Sequence, residues 1–331
     1  MFAKTFEKFS YTSAGISTIF LLGISYYYTT LDITWSLFES KIINAILIFG
    51  ALMLSNYAID TVTRQLTIER STRNGYHLLL YPLIVMSYPI ESIDMRFILS
   101  SAAIWAAWRN MRIFFELTDN TKKIKRLFDS SILLTFSSLI IVENLIIFIY
   151  PLLALITSNI RKDFKHYVLI FMTPIIILPS AYVFLSFLSL DSYFFSSYFF
   201  ADQPIVTDEY NFIPNSSRFF LMLVDEYNFN LTYSYIPILI VFVLFVISVI
   251  IKFSRTYSSR RRILDVLGVL FIILTSLFFT MDQLSGSEFH YLSLPVVYMV
   301  SQIFVKKIKS LYVNFIFIVL IASIVTFNFL I

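Results

Sequence analysis

Residues 122–165 read KKIKRLFDSSILLTFSSLIIVENLIIFIYPLLALITSNIRKDFK, an apolar run flanked by two clusters of cations. As a single helix, the run 131–158 would carry the two clusters to opposite sides of a membrane. As two short spans that turn at Glu143 and Asn144, it keeps both clusters on one side. Because cytoplasmic loops retain Lys and Arg, the sequence favours a helical hairpin here, with one continuous helix as the alternative.

The other cations follow the same pattern. Most of the 25 lysines and arginines lie in six short segments separated by apolar runs, namely 1–10, 61–75, 118–130, 159–166, 252–262 and 305–310. If all six segments face the cytoplasm, the N-terminus is cytoplasmic and the C-terminus is periplasmic. Apolar runs near spanning length predict about eleven spans. These lie near 11–30, 41–60, 76–90, 97–115, 131–142, 145–158, 167–188, 235–252, 263–280, 290–304 and 311–331.

Composition agrees with an integral membrane protein. The chain is 58% hydrophobic and has a mean hydropathy of +0.79, whereas soluble domains contain about 45–50% apolar residues. The sequence therefore predicts an all-α polytopic transmembrane helical bundle, a single domain over 1–331 that includes short hairpin spans. Its one large outside segment is the periplasmic loop 189–234. The expected location is the inner membrane of a bacterium.

Charge and cysteine content exclude several classes of function. The net charge of +4 follows from the inside loops, so it is no sign of a nucleic-acid partner. The chain has no cysteine, which excludes disulfides, thiolate catalysis and cysteine-based metal sites. It also lacks metal-ligand spacing of histidines, a DxD motif, a P-loop, GxGxxG and GxSxG. No metal ligand or cofactor is predicted, and a divalent metal that steadies phosphate is left open.

The segments predicted to lie outside carry few cations and many carboxylates. The cations are Lys41, Arg96 and Arg218, and the carboxylates are Asp32, Glu39, Glu91, Asp94, Glu143, Asp191, Asp202, Asp208, Glu209, Asp225, Glu226, Asp282 and Glu288. A carboxylate can take a proton from a hydroxyl while an arginine steadies a phosphate leaving group. The set therefore suits a substrate that carries phosphate. The alternative is that acidic residues are merely tolerated on that face.

Eight residues form the candidate site. The candidate catalytic residues are Asp32, Glu91, Asp94 and His290, and the candidate substrate-binding residues are Arg96, Arg218, Glu143 and Glu288. The turn 90–96 is short, so its charged groups are well fixed, and an ionisable group at the tip of a short hairpin is costly unless it has a function. Structural alternatives are a helix cap for Asp32, an interface anchor for Arg96 and a hydrogen-bonded role for His290.

Polar and aromatic residues at the inside ends of spans have simpler readings. His77 and His166 are expected to be solvated there. Arg109 and Arg112 are three residues apart and share one helix face, which is expected to point to the lipid headgroups or to a partner. Trp105 and Trp108, which precede them, are expected to face lipid or headgroups.

Two stretches resemble an uncharacterised family of multispanning inner-membrane proteins from Bacteroidota. They are Trp108–Asp129 (WRNMRIFFELTDNTKKIKRLFD) and Gly286–Pro295 (GSEFHYLSLP). In architecture the chain is similar to GT-C glycosyltransferases and to Wzy- or EpsG-type polymerases. That similarity implies a polyprenol-linked sugar donor at the outer face and an acidic residue in the first outside loop, here Asp32. The paired acidic residues of many GT-C enzymes are absent at that position.

The expected function is transfer of a glycan from a polyprenyl-(pyro)phosphate donor at the periplasmic face, by a polymerase, a ligase or a protein glycosyltransferase. Its partners would be membrane lipid and the polyprenyl-linked glycan, and an enzyme should show a groove for a lipid tail beside the site. The alternative is a non-catalytic subunit of a cell-envelope or secretion complex that holds partner proteins through 189–234. A transporter ranks third, because few charges are buried in the spans and no inverted repeat is visible.

Overall fold

The computed structural model of the chain describes residues 2–7, 10–36, 38, 40–66, 75–88, 90, 92–117, 119–157, 164–187, 236–253, 286–304 and 310–327. Most of these residues are helical, which is consistent with the predicted all-α class. The predicted span 263–280 and the loop 189–234 lie outside the described residues.

The helices, in chain order, are α1 (Phe2–Glu7), α2 (Tyr11–Tyr28), α3 (Lys41–Leu66), α4 (Tyr76–Met86), α5 (Met95–Glu116), α6 (Asn120–Ile140), α7 (Ile149–Thr157), α8 (Phe164–Phe187), α9 (Ile236–Phe253), α10 (Ser293–Phe304) and α11 (Ser310–Val325). Two short strands, β1 (Asp32–Trp35) and β2 (Ser92–Asp94), were not predicted. Both alternate polar and apolar residues (DITW and SID), but an alternation over so few residues is a weak signal for a strand. Two 3-10 segments, Val142–Phe148 and Ser287–Leu292, precede α7 and α10.

Among the described residues, two stretches are long and apolar enough to cross a membrane, Lys41–Val62 in α3 and His166–Phe184 in α8. Shorter apolar helical stretches are Tyr76–Met86, Asn144–Leu153, Ile236–Ile251 and Tyr312–Val325. The helices α2, α3 and α4 begin at the residues where the predicted spans begin. These helix lengths do not establish a multi-pass bundle of about eleven spans, which stays a prediction.

Large apolar side chains are exposed on several of the helices. They include Ile19 and Leu22 on α2, Ile42 and Ile46 on α3, Ile175 and Phe184 on α8, Phe242 on α9 and Phe315 on α11. Contact with water would be unfavourable by about 25 cal/mol for each Å² of this surface, whereas contact with lipid tails would not.

The cationic cluster at 122–126 lies on a helix, not in the loop that the spans implied. Asp119 caps α6 by accepting a hydrogen bond from the Thr121 N–H at 2.9 Å. Lys and Arg are good helix formers, so a capped helix continues through the cluster into the apolar run. Lys122 also lies 3.8 Å from the Asp119 carboxylate.

The apolar run that follows is interrupted, which rules out one continuous helix over 131–158. α6 ends at Ile140, Ile141 is extended, and the 3-10 segment Val142–Phe148 leads into α7. Both the 3-10 segment and α7 contact α6. Asn144 is buried and donates a hydrogen bond to the Ser137 hydroxyl at 2.9 Å. The chain thus folds back on the end of α6 close to the predicted turn.

The described residues divide into two compact units. The first contains α1–α4, both strands, α5 as far as Ile98, and α9–α11. In it α2, α3 and α4 contact one another, and α10 packs on α4 and α9. Leu21, Ile48, Leu80 and Leu294 lie in its core. The prediction of a single domain over 1–331 stays a prediction.

The second unit contains α5 from Leu99 onward, with α6, α7 and α8. Trp105 and Trp108 are buried in it, and their rings meet edge to face with centroids 6.0 Å apart. The expectation that both face lipid or headgroups is therefore wrong. Indole rings bury a large apolar area, and here α5 directs them into the protein interior.

Candidate functional site

The two strands join segments that are far apart in the sequence. β1 pairs with β2 in parallel, with Asp32 opposite Ser92, Ile33 opposite Ile93 and Trp35 opposite Asp94. A bulge between Ile33 and Trp35 shifts the register. The backbone at Asp32 is therefore held beside the segment that carries Asp94, so the first two segments predicted to lie outside form one structure.

Asp94 and Arg96 form a close ion pair in this structure. The Arg96 Nε lies 3.1 Å from both carboxylate oxygens of Asp94, and Nη2 donates to Oδ2 at 2.7 Å. Asp94 Oδ1 also accepts the backbone N–H of Arg96 at 2.9 Å, so it caps the start of α5. The Arg96 side chain is 40% exposed and the Asp94 side chain only 6%.

A third distant segment contacts this pair. The Asp94 backbone N–H donates to the Ser287 hydroxyl at 3.1 Å. Ser287 follows Gly286, which has a φ of 86°, a conformation that side chains with a Cβ rarely adopt. The glycine allows the chain to turn sharply into the 3-10 segment Ser287–Leu292. All three segments belong to the first unit.

His290 lies in that 3-10 segment, before the first residue of α10, and it is buried among aromatic rings. The rings of Tyr28 and Tyr88 meet the imidazole edge-on, with centroids 5.9 and 5.5 Å away. Tyr88 is fixed by a 2.8 Å hydrogen bond between its hydroxyl and that of Ser293.

The remaining predicted residues differ in what the structure describes. Glu288 is 2% exposed, two residues from His290 in the same segment. Glu91 and Arg218 lie outside the described residues, and of Asp32 and Glu143 only the backbone is described. Glu143 belongs to the second unit. In the described part of the chain, no group of three or more His, Asp and Glu residues could hold a metal ion.

An apolar groove lies on the first unit between α2 and α4. Its volume is about 260 Å³, and it is lined by Ile16, Ile19, Phe20, Gly23, Ile24 and Met86. A Cβ on Gly23 would meet no atom within 4 Å. The groove runs along the middle of α2, which leads into β1, and touches the last residue of α4, which precedes Tyr88 and β2.

Sequence reasoning missed a second ionisable pair in the first unit. The His77 Nε2 lies 2.9 Å from Asp60 Oδ1, and His77 has no exposed surface. The expectation of solvated histidines is wrong for His77, and also for His166, which is buried in the second unit. One turn before Asp60, Asn56 donates to the Ser17 hydroxyl at 3.2 Å. An acidic residue at the end of an apolar helix was the signal available in the sequence.

No protein-family model matches this chain, and no curated protein or solved structure matches it, so the Bacteroidota resemblance stays a prediction.

Proposed function

We propose that this chain is a multi-pass protein of the bacterial inner membrane that transfers a glycan from a polyprenyl-(pyro)phosphate donor at the periplasmic face. The membrane assignment is supported by two apolar helices of spanning length and by large apolar side chains exposed on α2, α3, α8, α9 and α11. The partition of lysines and arginines between segments supports the orientation.

One observation carries the catalytic part of the proposal: three distant segments, all predicted to lie outside, meet at Asp94 and Arg96. A guanidinium with partial exposure can donate hydrogen bonds to the oxygens of a phosphate. As the bond to the sugar breaks, negative charge grows on the (pyro)phosphate, and a fixed cation stabilises it.

A base must take the proton from the acceptor hydroxyl, and two carboxylates are candidates. The strand register holds the backbone of Asp32 opposite Ser92, two residues from Asp94. Glu91 adjoins Ser92 in the sequence. Either residue could act on a hydroxyl near Arg96.

The groove between α2 and α4 supports a lipid-linked donor. Its lining consists of apolar side chains and Gly23, which suits a hydrocarbon chain. Both helices that form it lead directly into the segments that carry the site. An isoprenoid tail in the groove would place its phosphate near the ends of α2 and α4.

Glycan transfer in membranes tests the proposal. Membranes are prepared from cells that carry Asp32→Asn, Glu91→Gln or Arg96→Ala at matched protein levels, and undecaprenyl-linked glycan is the donor. Arg96→Ala should lower transfer by about one to two orders of magnitude, the value of a charged hydrogen bond. Arg96→Lys should restore part of the activity, because lysine keeps the charge but lacks the planar fork.

Lys122→Gln is the control, since Lys122 is an exposed cation in the second unit and should leave transfer unchanged. Full activity of all three variants would sink the proposal. The chain would then be better understood as a non-catalytic subunit that holds partner proteins.

A further inference from the structure

We infer that Asp94 is the positioning residue of Arg96 and not the base of the reaction. This inference rests on the proposed function, in which Arg96 holds the donor phosphate. The sequence predicts Asp94 as a catalytic residue. The hydrogen bonds of its carboxylate indicate a positioning role instead.

The hydrogen bonds of the Asp94 carboxylate occupy both of its oxygens. Oδ1 accepts the backbone N–H and the Nε of Arg96, and Oδ2 accepts Nε and Nη2. An ionised carboxylate offers about four acceptor positions, and these contacts fill them. To take a proton from a substrate hydroxyl, Asp94 would have to release the guanidinium.

The exposed fractions of the two side chains also assign phosphate binding to Arg96 and positioning to Asp94. The Arg96 side chain is 40% exposed, whereas that of Asp94 is 6% exposed. A substrate that approaches this face therefore meets the guanidinium, with the carboxylate covered behind it. A side-on pair of this kind also fixes the plane of the guanidinium, and that plane decides which oxygens of a phosphate the arginine can reach.

The backbone of Asp94 is itself held from two directions. β2 pairs with β1, and the Ser287 hydroxyl accepts the Asp94 N–H at 3.1 Å. Ser287 has no exposed surface, and the turn at Gly286 precedes it. The position of Asp94 is therefore well fixed, because the pairing of β2 with β1, the hydrogen bond to Ser287 and the cap of α5 all involve this residue.

Burial also excludes two of the predicted residues as the base. His290 and Glu288 are each 2% exposed, so a substrate hydroxyl does not reach either group in this structure. The candidate base is therefore Asp32 or Glu91. Asp32 belongs to β1 of the small sheet, and Glu91 precedes β2 in the sequence.

A double-mutant cycle between Asp94→Asn and Arg96→Gln tests the inference. Asparagine is as good a helix cap as aspartate, so Asp94→Asn should keep α5 while it loosens the guanidinium. The protein is placed in nanodiscs, and the dissociation constant for undecaprenyl phosphate is measured by native mass spectrometry. Inorganic phosphate and phosphatidylglycerol are run in parallel to separate a free anion or a general lipid from the polyprenyl probe.

Arg96→Gln should weaken binding of undecaprenyl phosphate about ten- to a hundredfold. Asp94→Asn should weaken it about tenfold, and the double variant should be no weaker than Arg96→Gln alone, because Asp94 acts only through Arg96. In the transfer assay Asp94→Asn should raise the donor KM more than it lowers kcat. Asp94→Glu, which keeps the charge, should recover part of the binding.

Loss of transfer in Asp94→Asn with an unchanged donor KM and unchanged binding would overturn the inference and make Asp94 the base. So would equal losses from Asp94→Asn in the presence and in the absence of Arg96. If Arg96→Gln alters neither binding nor transfer, the proposed phosphate site fails as well. Melting temperatures of all variants exclude a loss that comes from unfolding.

Discussion

At the scale of single residues, Asp60 and His77 form a buried pair in the first unit outside the candidate site. The imidazole has no exposed surface, and its Nε2 contacts a carboxylate oxygen at 2.9 Å. A buried polar group that loses its partner is costly, whereas replacing both partners by apolar groups of similar shape can be nearly neutral. The pair thus ties α3 to α4 through one hydrogen bond.

His77→Leu should lower the free energy of unfolding by about 2 kcal/mol, the size of a hydrogen bond to a charged group. The double variant His77→Leu with Asp60→Leu should recover much of that loss, since the buried Asp60 carboxylate is then removed together with its imidazole partner. Thermal unfolding in detergent measures both. A double variant less stable than the single one would contradict this account.

The sequence predicted some residues of the site better than others. Asp94 and Arg96 are two residues apart, so their proximity could be read from the sequence and the structure shows them paired. Ser287 is 193 residues from Asp94, and no local pattern points from one to the other. The pair of Asp60 and His77 was not predicted for a related reason. The two residues lie on different helices, α3 and α4, and hydropathy describes each helix separately.

At the scale of the elements, the starts of the helices followed closely from apolar runs and caps. α2 begins where the run begins, since Ser10 and Ser13 form a capping box there. β1 and β2 have only four and three residues; both alternate polar and apolar side chains, but over so short a length the alternation does not distinguish a strand from a loop. α6 starts eleven residues before the predicted span 131–142, because the dense cluster of cations that precedes this span favours a loop in the positive-inside pattern although its residues are good helix formers.

The groove on α2 gives a prediction at this scale. Gly23→Leu should fill part of the groove and weaken binding of undecaprenyl phosphate by about tenfold, because burial of each CH₂ of the tail is worth about 0.8 kcal/mol. Gly50→Leu on α3 is the matched control. A Cβ at Gly50 also meets no atom within 4 Å, and Gly50 does not line the groove.

Both substitutions remove a glycine from the interior of a helix. Because glycine disfavours a helix by roughly 1 kcal/mol, neither variant should be less stable than the parent protein. Equal binding by the two variants in nanodiscs would show that the groove does not hold the tail.

At the scale of the whole molecule, the partition of cations predicts which segments face each side of the membrane. The chain has no cysteine, so single cysteines report on one position each. Ser196→Cys in the loop 189–234 should react with an impermeant maleimide in cells whose inner membrane is intact. Ser259→Cys in the cationic segment 252–262 should react only after that membrane is opened. The reverse pattern of labelling would refute the topology.

The parallel pairing of β1 with β2 has a consequence for synthesis of the chain. Parallel strands cannot be joined by a tight turn, and here α3 and α4 lie between them. Asp94 reaches its last partner, Ser287, only 193 residues later. At about 5–20 residues per second, a ribosome needs on the order of ten seconds or more for that distance. Throughout that interval Asp94 and Arg96 lack their contact with the third segment, so the candidate site becomes complete only after Ser287 has been synthesised.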